Sequence, residues 1–241
     1  MRFISFFASA LVACSATAQD LGGALDLGQL GSTIGVSNAV RHHVTGSKAS
    51  KQSGSRAAPL VAKQASSAGS LRFTADSQRR ERTVQQWLAS TAKSDPKTAA
   101  QFKTFFKQQN LGRIATEYLR PYGMTPSNGA DAAAMYLSGA WLVTKNDLGD
   151  PTNAQMRGLR DQLASAMAAT PGWANSSNET KQAFADALLL QSVVNSSLLQ
   201  SAQGDAGRLR EVKKAVAEGV RKSFGLDLTK LTLSNQGFVE T

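Results

Sequence analysis

From Leu71 to Gly225, apolar residues return every three or four positions, and this spacing commits most of the chain to helices. A first helix over residues 76–93 lines up Val84, Trp87, Leu88 and Thr91 on one face and leaves Arg79, Arg80 and Arg82 mostly in solvent. Asp95-Pro96 reads as an N-cap followed by proline in the first helical position, so a second helix starts there with Ala99, Phe102, Phe105 and Phe106 inward. Leu111, Ile114, Ala115 and Tyr118 make a short third helix. It ends near Arg120, because Pro121 disfavours helical backbone in the residue before it.

Tyr122 to Gly129 is a turn. A fourth helix over 130–146 carries Ala130, Ala133, Leu137, Ala140, Trp141 and Thr144, whose small members let a neighbour approach closely. Asp150-Pro151 or Thr152 caps a fifth, with Met156, Leu159, Leu163, Ala166 and Met167 inward. Ser176-Ser177-Asn178-Glu179 has the form of a capping box ahead of a long sixth with Phe184, Leu188, Gln191, Leu198 and Leu199. Leu209, Val212, Val216 and Val220 mark the last, over 206–223, and Gly225 stops it. Leu226 to Leu233 alternates apolar and polar residues as a strand does. With no partner strand, it is expected as an extended tail laid on the bundle through Leu226, Leu228, Leu231, Leu233 and Phe238.

The expected fold is therefore all-α: a single bundle of roughly six to seven helices with a short extended C-terminal tail. Its core should hold Trp87, Phe102, Phe105, Ile114, Leu137, Trp141, Leu163, Phe184, Leu188 and Val216.

The N-terminal third is different in kind. Arg2, the apolar run Phe3–Ala13 and Ala16-Thr17-Ala18 match the three parts of a secretory signal peptide over 1–18, with cleavage ahead of Gln19. The apolar run is shorter than the roughly 20 residues a bilayer requires, so no transmembrane helix is expected in the mature chain. Leu11-Val12-Ala13-Cys14 also has the form of a lipobox, which would anchor the chain by lipid on Cys14 instead. Residues 19–70 read as a disordered linker rich in Gly, Ser and Ala, without an aromatic between Asp20 and Arg72. Leu21, Leu25, Leu27, Leu30, Ile34, Val36 and Val40 are apolar, but glycines at 22, 23, 28, 31 and 35 argue against a stable helix there. The folded domain is placed at 71–241.

Leu71-Arg72-Phe73-Thr74, the turn Leu119-Arg120-Pro121-Tyr122-Gly123-Met124, Ala140-Trp141 and the ending Gly225-Leu226-Asp227-Leu228 with Leu231 to Phe238 occur in an order that resembles the DUF6683 family of exported bacterial proteins. The resemblance covers 70–240. It implies an exported, mostly helical domain and brings no activity, cofactor or catalytic residue with it.

The residue inventory excludes much chemistry. Cys14 is the only cysteine, so a chain cleaved after Ala18 has no disulfide, no thiol nucleophile and no cysteine metal ligand. The two histidines, His42 and His43, are adjacent and lie in the linker. Neighbouring residues do not aim at one site from a helix, and a histidine triad or zinc site in the folded domain cannot be assembled. Gly28-Gln29-Leu30-Gly31 is neither a P-loop nor a dinucleotide fingerprint. Asn146, Asp147 and Asp150 lack the ligand order of a calcium loop and read as a turn plus an N-cap.

Two residues remain as candidates. Glu117, beside Tyr118 and before the Pro121-Tyr122-Gly123 turn, could serve as an acid on glycans, although Arg113 and Arg120 are at ion-pair spacing on the same helix. Trp173, in Pro171-Gly172-Trp173-Ala174, is expected in a loop and partly exposed, as contact residues often are.

Twenty-seven Lys and Arg against 17 Asp and Glu give a formal charge of +10. The cations are dispersed, without the aromatic interleaving of a nucleic-acid groove, and suit an anionic component of the envelope. The expectation is an exported, non-enzymatic helical domain, without cofactor, that binds another macromolecule. The competing expectation is an envelope-glycan hydrolase with Glu117 as its acid.

Overall fold

The computed structural model describes Gly31, residues 35–46 and residues 71–241. The signal sequence at 1–18, Cys14 and most of the linker, including Lys48, Lys51, Arg56 and Lys63, lie outside the described residues.

Nine α-helices are present among the described residues: α1 (Val36–Thr45), α2 (Ser77–Ser94), α3 (Pro96–Gln108), α4 (Leu111–Leu119), α5 (Gly129–Lys145), α6 (Asn153–Ala168), α7 (Pro171–Ala174), α8 (Asn178–Ser201) and α9 (Ala206–Phe224). A short hairpin of β1 (Leu231–Ser234) and β2 (Gly237–Glu240) follows. The chain is all-α apart from that hairpin. The seven helices expected from spacing are all there, and α1 and the single turn α7 are additional.

The start signals act through the backbone donors they satisfy. Asp76 accepts from the N–H groups of Gln78 and Arg79, Asp95 from Thr98, Asn110 from Arg113 and Asp205 from Arg208. Thr152 and Gln155 form a reciprocal capping box at α6. At α8 the cap is Ser177, accepting from Thr180, so the box expected from Ser176 to Glu179 does not form. Glu179 instead faces Arg79 at 3.6 Å. Gly225 ends α9 with φ +66, a conformation that glycine adopts without strain.

The centre is a pair. α5 and α8 make the largest helix–helix interface of the molecule. From Ala130 to Ala134 every α5 residue is buried, and four of the five are alanine, so the two backbones can approach closely. α8 is buried from Phe184 through Leu199, on all sides rather than along one stripe. Several of its polar residues bond within the helix: Ser192, Ser196 and Ser197 donate to carbonyls one turn back, and Gln191 Nε2 donates to Asn195 Oδ1 at 2.9 Å, while Gln191 Oε1 is buried without a hydrogen-bond partner. Nine of the ten expected core residues are buried, and Trp141 is partly buried.

Two expectations require correction. The linker does not run unbroken to residue 70. Val36, Val40 and Val44 are fully buried on one face of α1, which packs against α6, α9 and β2. Three valines at four-residue spacing suffice because the bundle supplies the rest of the apolar surface, and Gly35, at φ +73, supplies the turn into the helix. Arg41, expected on a flexible arm, lies on this docked helix, its side chain against Gly225.

The C-terminal tail is also not a lone extended segment. Leu231 pairs with Glu240 and Ser234 with Gly237 in an antiparallel hairpin turned at Asn235-Gln236. Leu226, Leu228, Leu231, Leu233 and Phe238 are buried as expected. Side chains fasten the hairpin to the helices: Trp141 Nε1 donates to Leu231 O and Gln155 Nε2 to Leu233 O, both at 2.9 Å, while Gln162 donates to Phe238 O and accepts from Phe238 N. Gly158 lets the turn sit this close; a Cβ there would stand 2.2 Å from Asn235 O.

Candidate functional site

The two sequence candidates fall in different settings. Trp173 is fully buried, which overturns the exposed-loop expectation. Pro171-Gly172 opens a single helical turn rather than a loop, and the indole packs edge-on against Phe184 with ring centres 5.7 Å apart. Lys181 Nζ stands 5.7 Å over the same ring. Gly129 makes the space, since a Cβ at that position would come within 2.3 Å of the indole. Trp173 is thus a core residue and offers no contact surface. Glu117 lies on α4 with Oε1 3.9 Å from Arg113 Nε, the ion pair that its spacing allows.

His42 and His43 are exposed on α1. Among the described residues, no group of three or more His, Cys, Asp or Glu is arranged to hold a metal ion. Asp147 Oδ1 accepts from Gly149 N at 2.8 Å and Asn146 ends α5 in a left-handed conformation, so this stretch is a turn.

Two buried carboxylates were not anticipated. Asp186 is fully buried on α8, with Arg80 Nε 2.6 Å from its Oδ1 and Gln182 Nε2 3.0 Å from its Oδ2. Gln182 also donates to Asp76 O and accepts from Asp76 N, tying the first turn of α2 to α8. Burial raises the Asp186 pKa, against the opposing pull of Arg80. The Arg80 guanidinium packs over Gly112 of α4, where a Cβ would fall 2.7 Å from Nη1. One ion pair thereby joins three helices. The sequence offers little sign of it, because Arg80 looks like any solvated cation of an amphipathic helix.

Asp131 occupies the first turn of α5 and is 3 % exposed. Its Oδ2 accepts from Thr125 N at 2.9 Å, clasping the turn before the helix, and Oδ1 is buried without a hydrogen-bond partner. Burial lifts its pKa to about 6, opposed by the Thr125 N–H and by Arg160 and Arg72. A carboxyl poised there is the kind of group that active sites use, but this one is closed off and spends an oxygen on the backbone. An acid three residues after an Asn cap, as in Asn128 to Asp131, is the sequence sign that marks it.

What the surface offers is charge. Lys97, Lys103 and Lys107 are exposed within an arc of about 120° on α3, which has no acidic residue, and Lys93 stands exposed near the end of α2. Between Glu81 and Glu117 the single carboxylate is Asp95, committed to capping Thr98 N at 2.9 Å. No ion pair engages Lys93, Lys103 or Lys107 among the described residues. α9 carries more cations but also their partners, with Lys214 4.0 Å from Glu218 and Arg221 3.3 Å from Asp227.

The model of a family of unknown function, DUF6683, matches residues 35–241. The match begins at Gly35, where the structure also places the start of α1. No curated protein and no solved structure matches the chain.

Proposed function

The chain belongs to the DUF6683 family, whose function is unknown, and we propose that it is an exported, non-enzymatic helical domain that binds an anionic component of the cell envelope. The export part rests on Arg2, the apolar run Phe3–Ala13 and Ala16-Thr17-Ala18.

One observation carries the binding part. Six carboxylates are spent on the fold, while most of the described cations are exposed. Asp76, Asp95, Asp205 and Asp227 cap helix starts, and Asp131 and Asp186 are buried. The Asp76 carboxyl is held below its usual range chiefly by the Arg79 N–H, and Asp95 by the Thr98 N–H. These carboxyls act first on backbone donors, with a smaller pull from neighbouring cations such as Arg79 and Lys97. The outward field is therefore positive, and it attracts anionic polymers or headgroups over about a Debye length.

The test immobilises the chain and exposes it to an envelope fraction at low salt. The expected result is retention of an anionic glycan polymer or lipid that elutes as salt rises. An envelope fraction that leaves nothing bound at low salt refutes the binding part. Fractionation of cells that make the chain checks export separately, and accumulation of the uncleaved chain in the cytoplasm refutes that part.

A further inference from the structure

We infer that the turn between α4 and α5 is a latch worked by a single proton at Asp131. It is closed while the carboxyl is neutral, and it loosens, together with the segment that leads into α2, once the carboxyl is charged. The latch is independent of the binding reading above.

The turn carries more than its own residues. Pro126 has no N–H to give, and the N–H just before it, that of Thr125, reaches Asp131 Oδ2 at 2.9 Å. Ser127 N bonds Thr125 Oγ1 at 3.4 Å, so the clasp at Thr125 also steadies the residues after it. Ser127 O in turn accepts from Phe73 N at 3.1 Å, and Asn128 bridges to Arg72. Leu71 and Phe73 are buried. Asp131 thereby holds the turn on which residues 71–73 rest before α2 begins.

The carboxyl is poorly compensated when charged. An ionised carboxylate has about four lone-pair sites, yet Asp131 receives one N–H on Oδ2, and Oδ1 is buried without a partner. The charges that act on it come from Arg160 and Asp161 on α6 and from Arg72 ahead of α2. Arg160 Nε stands 2.8 Å from Asp161 Oδ1, and Arg72 is exposed. Among the described residues, no cation makes an ion pair with Asp131. Burial therefore favours the neutral form. Asp186, the other buried carboxyl, is the contrast: Arg80 and Gln182 serve its two oxygens at 2.6 and 3.0 Å, which keeps it in place.

The direction of the switch follows. The closed turn has its carboxyl at a pKa of about 6, and a side chain released to water returns to 3.8. The open form is thus the stronger acid, and rising pH draws the latch toward it until both forms are charged, just above pH 6. Gly123, at φ +72 with nothing within 4 Å of an added Cβ, leaves the turn free space to move into.

The experiment is amide hydrogen exchange of the full chain, read residue by residue by NMR at about pH 5 and about pH 7.5, with the intrinsic pH dependence of exchange divided out. The two pKa values predict that opening at Thr125 rises about tenfold over this range, and Phe73 should follow. Thr98 is the matched control. Its N–H also bonds a carboxylate, Asp95, but that carboxyl is held below its usual range, so protection at Thr98 should not change. Asp131→Asn keeps an acceptor and cannot titrate, so in that variant the pH dependence at Thr125 should vanish. Constant protection at Thr125 in wild type overturns the latch, whether or not the variant folds. So does exchange of Thr125 at the rate of Leu188 in the core of α8 at both pH values, which would mean opening only by global unfolding. A change at Thr125 without one at Phe73 overturns the link to the segment before α2.

Discussion

Replacing Gly158 with alanine sets two effects of known sign against each other. Gly158 lies inside α6, where alanine is worth about 1 kcal/mol over glycine in helix propensity alone. Against that, the new Cβ would stand 2.2 Å from Asn235 O, 2.5 Å from Asn235 C and 2.8 Å from Gln236 N. These are backbone atoms of the hairpin turn, so relief requires the turn to move by about 1 Å rather than a side chain to swing. A shift of that size breaks the three bonds that Gln155 and Gln162 make to Leu233 and Phe238. At about 1 kcal/mol each they cost about 3 kcal/mol, leaving a net destabilisation of about 2 kcal/mol. For a folded part of this size that lowers the melting temperature by about 4–8 °C. Urea and thermal melts measure it. The control is Gly219→Ala on α9, where nothing lies within 4 Å of the added Cβ, so the same substitution should stabilise by up to about 1 kcal/mol. If both variants gain stability alike, propensity alone governs Gly158 and the close approach of the hairpin is not what the residue serves.

Asp131→Asn tests the buried carboxyl. With a folded pKa of about 6 against 3.8 unfolded, the fold binds the proton more tightly, so wild type gains stability from this group as pH falls from 6 to 4. The stability difference between wild type and variant should therefore move in favour of wild type by up to about 3 kcal/mol between pH 7 and 4; a difference independent of pH in urea melts contradicts it. Arg80→Met strands the Asp186 carboxylate and should cost about 3–5 kcal/mol, while the double change with Asp186→Leu should recover most of it. Equal destabilisation by the single and double variants in the same melts would show that the ion pair is not the cause. Val40→Asp places a charge on the buried stripe of α1 and should make Arg41 rapidly cleavable by trypsin, whereas in wild type Arg41 resists on the docked helix. Equal cleavage of both proteins would mean that α1 is not held.

Helix positions were legible because their causes are local. Asp95-Pro96, Thr152 and Gly225 act on donors and acceptors within one turn, and apolar spacing reports which face is inward. The misses share a dependence on something far along the chain. α1 is stabilised by α6, α9 and β2, none of which its ten residues reveal. β2 is four residues opening on a glycine, too short to be read as a strand until Leu231–Ser234 lies beside it. Trp173 is buried because Gly129, far from it in sequence, leaves room for the ring. The basic balance of the chain was legible, but the way its cations fall on the helices was not. Lys97, Lys103 and Lys107 never form a run, and they share one arc only once the helix sets their angles.

The hairpin carries a further consequence for how copies of the chain can meet. Two-stranded sheets have two raw edges, and such edges ordinarily recruit further strands from neighbouring molecules. Here Trp141 and Gln155 occupy the outward carbonyls of Leu231 and Leu233, and the Gln162 amide reads both backbone groups of Phe238 as another strand would. A newcomer strand would have to displace bonds already made within one molecule before gaining any of its own. Growth of the sheet from chain to chain is thereby opposed at Leu231, Leu233 and Phe238.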